Sequence, residues 1–286
     1  MSSLPEPVFI PPRAPRAGDW EAMTPEGRAR LIEALPASMT ESELSPPEGD
    51  DHLMAKFQAH DELTRFFRGS GQRAYVGMEL TVYYPDEPRC APDLMVVFDV
   101  EDHRRQKWVV SAEGKGLDFV LEVHVGGSRK KDTVRNVVFY AHLGIPEYFI
   151  LDCRRQLLLA YRLPENGGEY ERIVPQYGRY SSRVLGLDLL LVGGRLTFHQ
   201  GATQVLGTAT LLEQVQGVCD DLVRRRGEDE QALQEETRLR EEETRLREEE
   251  TRLREEETRL REEETRRREA AERRIAELEQ LLRERG

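Results

Sequence analysis

The chain has 286 residues, 34% of them charged, and a formal net charge of -12. That length accommodates one ordinary domain with extensions. The acidic balance excludes the broad basic footprint of a protein that grips nucleic acid through non-specific phosphate contacts. From Glu228 onward 15 basic and 22 acidic residues give -7, which leaves 27 basic against 32 acidic, or -5, for the remainder. No apolar run is long enough to span a membrane, and the N-terminus lacks the hydrophobic region of a secretory leader. The cysteines Cys90, Cys153 and Cys219 are odd in number and scattered, without metal-ligand spacing. Reduced thiols in a cytoplasm are the expectation.

In chain order, residues 1–36 are rich in proline and arginine (Pro5, Pro7, Pro11, Pro12, Pro15) and are expected to form a mobile or loosely docked arm. A core domain over 37–206 follows. Its first helix is predicted at 51–67, with Leu53, Phe57, Leu63, Phe66 and Phe67 as the apolar residues. His52, at the start of that helix, reads more readily as surface than as a site residue. Strands are predicted at 74–84, 93–99, 107–110 and 118–125. Glu79 alternates with Met78 and Leu80 on the first of these. It reads as the solvent-facing residue of an edge strand, with a third site acid as the lesser alternative. A helix opened by Asp132 as N-cap carries Val134, Val137, Val138 and Ala141, and it stops at Gly144 with Pro146 just beyond. Segments 148–152 and 157–163 read as a hairpin, and later strands fall near 172–174, 187–192 and 196–198. Strands with interspersed helices predict an α/β domain with a mixed sheet and flanking helices.

The chemistry concentrates in two of these strands. Asp93 enters the run LMVVF, and Glu122 interrupts FVLEVHV between Leu121 and Val123. A carboxylate in an apolar strand is tolerated when it is paired or binds a metal. For either acid alone, a strand end or an arginine partner is the more frequent explanation. Together, on neighbouring strands, they suit a hard cation such as Mg²⁺, which takes one or two carboxylates and keeps several waters. Two basic clusters, Arg104, Arg105 and Lys107, and then Arg129, Lys130, Lys131 and Arg135, read first as solvated surface.

Three segments carry a resemblance: APDLMVVFD (91–99), FVLEVHVGGSRKKD (119–132) and FYAHLGIPEYFILD (139–152). They resemble the bacterial restriction-endonuclease-like proteins of the Uma type, within the PD-(D/E)xK nuclease superfamily. Tyr140, Gly144, Pro146, Glu147, Tyr148 and Asp152 fall where that family's pattern has them, and weaker similarity extends from about His52 to about Leu191. The resemblance implies a restriction-endonuclease-like core and an endonuclease acting on DNA. It also implies Mg²⁺, with Mn²⁺ as an alternative, held by Asp93 and Glu122. The motif lysine two residues after the glutamate is here His124, and the family's alternative position, four residues before the tyrosine, is Asn136. Lys115, Lys130, Lys131 and Arg135 lie nearby, and Lys131 is taken as the third catalytic residue. The competing expectation is a catalytically silent scaffold or adaptor that self-associates through its C-terminal helix.

Residues 207–286 predict a long charged helix, or a weak coiled coil. TRLREEE occurs four times from Thr237. Glu241 to Arg245 and Glu243 to Arg247 are i,i+4 pairs in the favourable order, each contributing roughly 0.2–0.5 kcal/mol. A coiled coil needs two apolar residues per heptad, and here each heptad has a single leucine: Leu239, Leu246, Leu253 and Leu260. If leucine is d, the a positions are Glu236, Glu243, Glu250 and Glu257. The flanks, Leu211, Val215, Val218 and Leu222, then Ala271, Ile275, Leu278 and Leu282, have 4-3-4 spacing and are the candidates for association. Gly227 is expected to mark a joint. At ~1.5 Å per residue the stretch from Glu228 spans roughly 90 Å.

Overall fold

A computed structural model describes residues 12–40, 49–126 and 131–284, without the side chains of 131, 132 and 280–284. The chain divides into two compact units, Met1–Leu212 and Glu213–Gly286. The first unit is built on a six-stranded sheet of β1 (Ala74–Gly77), β3 (Leu94–Phe98), β5 (Phe119–His124), β6 (Glu147–Asp152), β7 (Leu157–Arg162) and β8 (Glu171–Arg172), in that spatial order. Only β5 and β6 run parallel among these neighbours. A parallel pair needs a crossover, and a π turn (Lys131–Arg135) with α5 (Asn136–His142) provides it. This is the expected α/β mixed sheet. The central strands are buried on both faces because LMVVF, FVLEVH and EYFILD have little alternation to expose.

Each face has its own apolar core. On one face Leu94, Val96, Phe119, Leu121 and Phe149 pack with Ala59, Leu63 and Phe67 of α3 (Gly49–Ser70). The same core includes Leu189 of β10 (Leu187–Val192) and Phe198 of β11 (Arg195–Gln200). A four-stranded sheet, ordered β12 (Thr203–Gln204), β11, β10, β9 (Tyr180–Ser182), closes this side. On the other face Met95, Val97, Val120, Tyr148 and Ile150 pack with Tyr140 of α5 and with Trp108 of β4 (Lys107–Val109), the strand that runs into the one-turn α4 (Val110–Glu113).

Three local expectations change. The strand expected at 74–84 is two strands, β1 and β2 (Thr81–Tyr83), and β2 pairs parallel with β4 outside the main sheet. Glu79 lies between them at φ 53°, a left-handed backbone that cannot continue a strand. The segment expected as a mobile or loosely docked arm is docked over its described part. It carries α1 (Ala17–Ala22) and α2 (Pro25–Ala34), the latter capped by Thr24, whose hydroxyl accepts from Gly27 N–H at 3.2 Å. Residues that follow are tied to β2: Tyr83 donates to Pro36 O at 2.8 Å and Thr81 to Ala37 O at 2.9 Å. Ala14 and Leu35 form a small core with Tyr83 and Val109. Two residues of the basic cluster at 104–107 are also structural, while Arg104 is exposed, as expected. Arg105 is forked onto Glu113 at 2.9 and 3.1 Å and stacks over Tyr75 and Trp108, while Lys107 donates to Leu35 O.

Helix α6 (Thr208–Glu284) supplies the described residues of the second unit. Its repeats form an ion-pair ladder of Arg240–Glu236, Arg247–Glu243, Arg254–Glu250 and Arg261–Glu257, all at 2.7 Å. The ladder uses the Glu243–Arg247 pairing of the two expected. The threonine hydroxyls are satisfied within the helix: Thr244, Thr251 and Thr258 each donate to the carbonyl four residues back. Gly227 does not mark a joint, since the helix passes through it unbroken. Strong helix formers on both sides outweigh the roughly 1 kcal/mol cost of one glycine. No helix of the described residues is long and apolar enough to cross a membrane.

Candidate functional site

The β3–β5 ladder ends at Leu94↔Leu121. One step further in the same register, Asp93 stands opposite Glu122. The two-residue alternation gives both acids the parity of Met95 and Val120, which belong to the second core. The end of the ladder leaves Val123 N–H without a strand partner from β3, and the Asp93 carboxylate takes that place: Val123 N–H donates to Oδ2 at 2.7 Å.

Glu122 is 8% exposed, in the middle of β5. Tyr140 donates its hydroxyl to Glu122 Oε1 at 2.6 Å, and Asn136 Nδ2 lies 3.5 Å from the same oxygen. Local sequence brings Tyr140 there. Gly144, at φ 74°, turns the chain out of α5, and β6 then starts at Glu147 alongside β5. The Tyr140 ring packs edge-on against Tyr148, centroids 4.9 Å apart. Burial, and after it the charge of Glu122, pushes the Tyr140 hydroxyl well above its usual range, so it stays a donor.

Helix α3 brings a third group. Its buried residues are Lys56, Ala59, Glu62, Leu63 and Phe67, and His52 lies one turn before Lys56 on the same face. Lys56 is 4% exposed. Its ammonium pairs with the Glu79 carboxylate and lies 3.6 Å from Asp93 Oδ1. His52 Nε2 is 3.2 Å from Asp93 Oδ2. Burial pushes the Asp93 carboxyl up, but His52, the Val123 N–H and Lys56 outweigh it and hold it below the usual carboxylate range.

The expectation for α3 therefore needs two corrections. Leu53 and Phe57, expected in the core, are each 59% exposed. The stripe set by Ala59, Leu63 and Phe67 extends back to 56 and 52, about 100° around the helix from 53 and 57. Lys56 was missed because a lysine in a helix ordinarily reads as solvated. The available signal was its phase, three residues before Ala59 and seven before Leu63. Glu79 is exposed, as expected, but its carboxylate turns to Lys56 rather than to open solvent. Lys115 does not join the site. It donates to Phe98 O at 2.6 Å and pairs with Asp118 at 3.1 Å, at the far end of β3 from Asp93. His124, in the motif lysine's position, is buried in register with Asp152 of β6. Arg129, Lys130 and the side chain of Lys131 lie outside the described residues.

The donors at Asp93 and Glu122 are carboxylate oxygens, the chemistry a hard cation requires. Among the described residues no group of three His, Cys, Asp or Glu side chains is placed to hold a metal ion. A site here would thus rest on two carboxylates with water completing the shell, which is how Mg²⁺ is usually held.

The family model described as Uma2, Putative restriction endonuclease, matches residues 40–191, more than half of the chain. The chain belongs to this family. The match spans α3, both acids and the β5–α5–β6 crossover. Among solved structures, a "putative nuclease belonging to DUF820" from Anabaena variabilis ATCC 29413 is similar, at 16% identity and a TM-score of 0.36. That alignment covers 47% of this chain and 75% of the other. No curated protein matches.

Proposed function

We propose that the protein is a cytoplasmic endonuclease that hydrolyses DNA phosphodiester bonds with Mg²⁺, or Mn²⁺, held by Asp93 and Glu122. The observation that carries this reading is the pair of acids brought opposite each other just beyond the β3–β5 ladder. Family membership supports the reaction class. A bound metal would supply a more acidic water and neutralise charge on the scissile phosphate. The chain's own residues do the remaining work. Val123 N–H and His52 hold the Asp93 carboxylate in one orientation. The Tyr140 hydroxyl fixes one oxygen of Glu122. Of the basic residues considered for the third role, Lys131 stands on the turn leading into α5, the helix that delivers Tyr140.

The test is cleavage and metal binding side by side. Asp93→Asn and Glu122→Gln remove a ligand charge with little change in volume. Each is expected to abolish Mg²⁺-dependent cleavage and to weaken Mn²⁺ binding in calorimetry, with the circular dichroism spectrum unchanged. A second reading, a silent core that acts as a scaffold by self-association through α6, is favoured by the exposed leucines of that helix. It takes precedence if purified wild-type protein cleaves neither single- nor double-stranded DNA with either metal.

A further inference from the structure

We infer that Lys56, carried by α3, is the cationic catalytic residue of this site, replacing the lysine that the motif would place where His124 stands. The inference rests on the nuclease reading above. Lys56 is almost fully buried, at the N-terminal end of a stripe that continues with Ala59, Leu63 and Phe67 and is flanked by the other buried charged residue of the helix, Glu62. A lysine pays a desolvation cost there that an apolar residue would avoid. Its ammonium is held between two carboxylates on different segments, Glu79 and Asp93. Glu79 reaches it from a left-handed backbone, a conformation that glycine would adopt with less strain. Asp93 is the acid proposed to hold the metal, so Lys56 lies beside the place where the phosphate would sit. Of the other basic candidates with described side chains, Lys115 is engaged at the opposite end of β3 and Arg135 is exposed on the turn before α5.

In the hydrolysis, the water oxygen bonds to phosphorus and the bond from phosphorus to the leaving sugar oxygen breaks. One water proton passes to solvent, and the leaving oxygen takes up a proton from solvent. Lys56 neither gains nor loses a proton in this account. Its ammonium donates to a non-bridging phosphate oxygen as negative charge builds there, a contact that strengthens in the transition state. Glu79 is a positioning residue that holds the amine in place before substrate arrives.

The experiment uses full-length protein, a labelled duplex, and Mg²⁺ or Mn²⁺. Lys56→Met is expected to lower kcat by about 100-fold while KM for DNA stays within about threefold. Mn²⁺ affinity measured by calorimetry should also stay within about threefold. Lys56→Arg, which keeps the charge, should recover part of the lost rate. Lys56→Gln is carried in parallel, so that a methionine variant that fails to fold does not decide the matter. Neutral variants that cleave within about threefold of wild type overturn the inference and leave the nuclease reading standing. Loss of Mn²⁺ binding together with cleavage also overturns it, because Lys56 would then be organising Asp93 rather than touching phosphate. A wild-type protein that cleaves nothing overturns the nuclease reading and this inference together. In that case Asp93→Asn, compared with wild type in the Mn²⁺ titration, shows whether the acids bind metal at all.

Discussion

At the scale of single residues, two buried groups make opposite demands on their surroundings. Glu122 is satisfied by a neighbour that must stay protonated. Tyr140→Phe removes that donor and leaves a buried carboxylate oxygen short of a partner, which costs about 1–3 kcal/mol. The expected result is a lower denaturant midpoint and weaker Mn²⁺ binding, and an unchanged midpoint would show that the hydroxyl does not hold Glu122. Glu62 is the reverse case. Its Oε1 accepts from Gln58 at 2.8 Å, while Oε2 is buried with no hydrogen-bond partner among the described residues. Burial raises its carboxyl from 4.5 to about 7. The unfolded chain loses this proton near 4.5 and the folded chain near 7, so between those values the folded state holds more of it. Stability therefore falls as pH rises through that window and stays low above it. At about 1.4 kcal/mol per unit, Glu62→Gln should gain up to about 3 kcal/mol on wild type between pH 4 and pH 8. Urea denaturation at both pH values measures this, and a difference that does not change with pH rules it out.

At the scale of elements, Glu147 joins the two sheets. It is fully buried on β6 and accepts from Arg162 of β7 at 2.7 Å, from the Ser182 hydroxyl of β9 and from Arg183 N–H at 3.0 Å. Glu147→Ala strands a half-buried guanidinium and two further donors, so unfolding free energy should drop by about 3 kcal/mol. A loss under about 0.5 kcal/mol in chemical denaturation would place Glu147 among ordinary surface acids. The central strands were legible in the sequence because their β-branched runs are short and bounded by turn residues. Asp93 and Glu122 stood out because the first enters such a run and the second interrupts one. The division at Glu79 was not legible, because a left-handed residue in GMELTVYY leaves no local mark when it is glutamate instead of glycine. Nor was the face of α3. Leu53 and Phe57 offered an apolar phase of their own, and only the sheet beneath selects the phase that buries Lys56. Contacts of long sequence separation, such as Lys56 with Asp93, are set by tertiary packing that propensity does not encode.

At the scale of the whole molecule, the chain's charge is concentrated in α6, where the ladder pairs are exposed and each contributes little. A peptide of residues 237–264 should be helical as a monomer and lose helicity in high salt as its pairs are screened. Truncation after Arg268 removes Ile275 and Leu278, both exposed, and should weaken self-association while leaving cleavage unchanged. Sedimentation at several concentrations checks this, and equal masses would show that the end of the helix is not the assembly element. The leucines of the repeat have a geometric consequence. Leu239, Leu246, Leu253 and Leu260 return every seven residues and are 55–59% exposed. An α-helix drifts about 20° per heptad against that period, so the apolar line winds left-handed by about 60° over three intervals. A straight partner would cross it at a single point. A partner touching all four leucines would have to coil with it, so the sense of twist of any assembly is written into the repeat length.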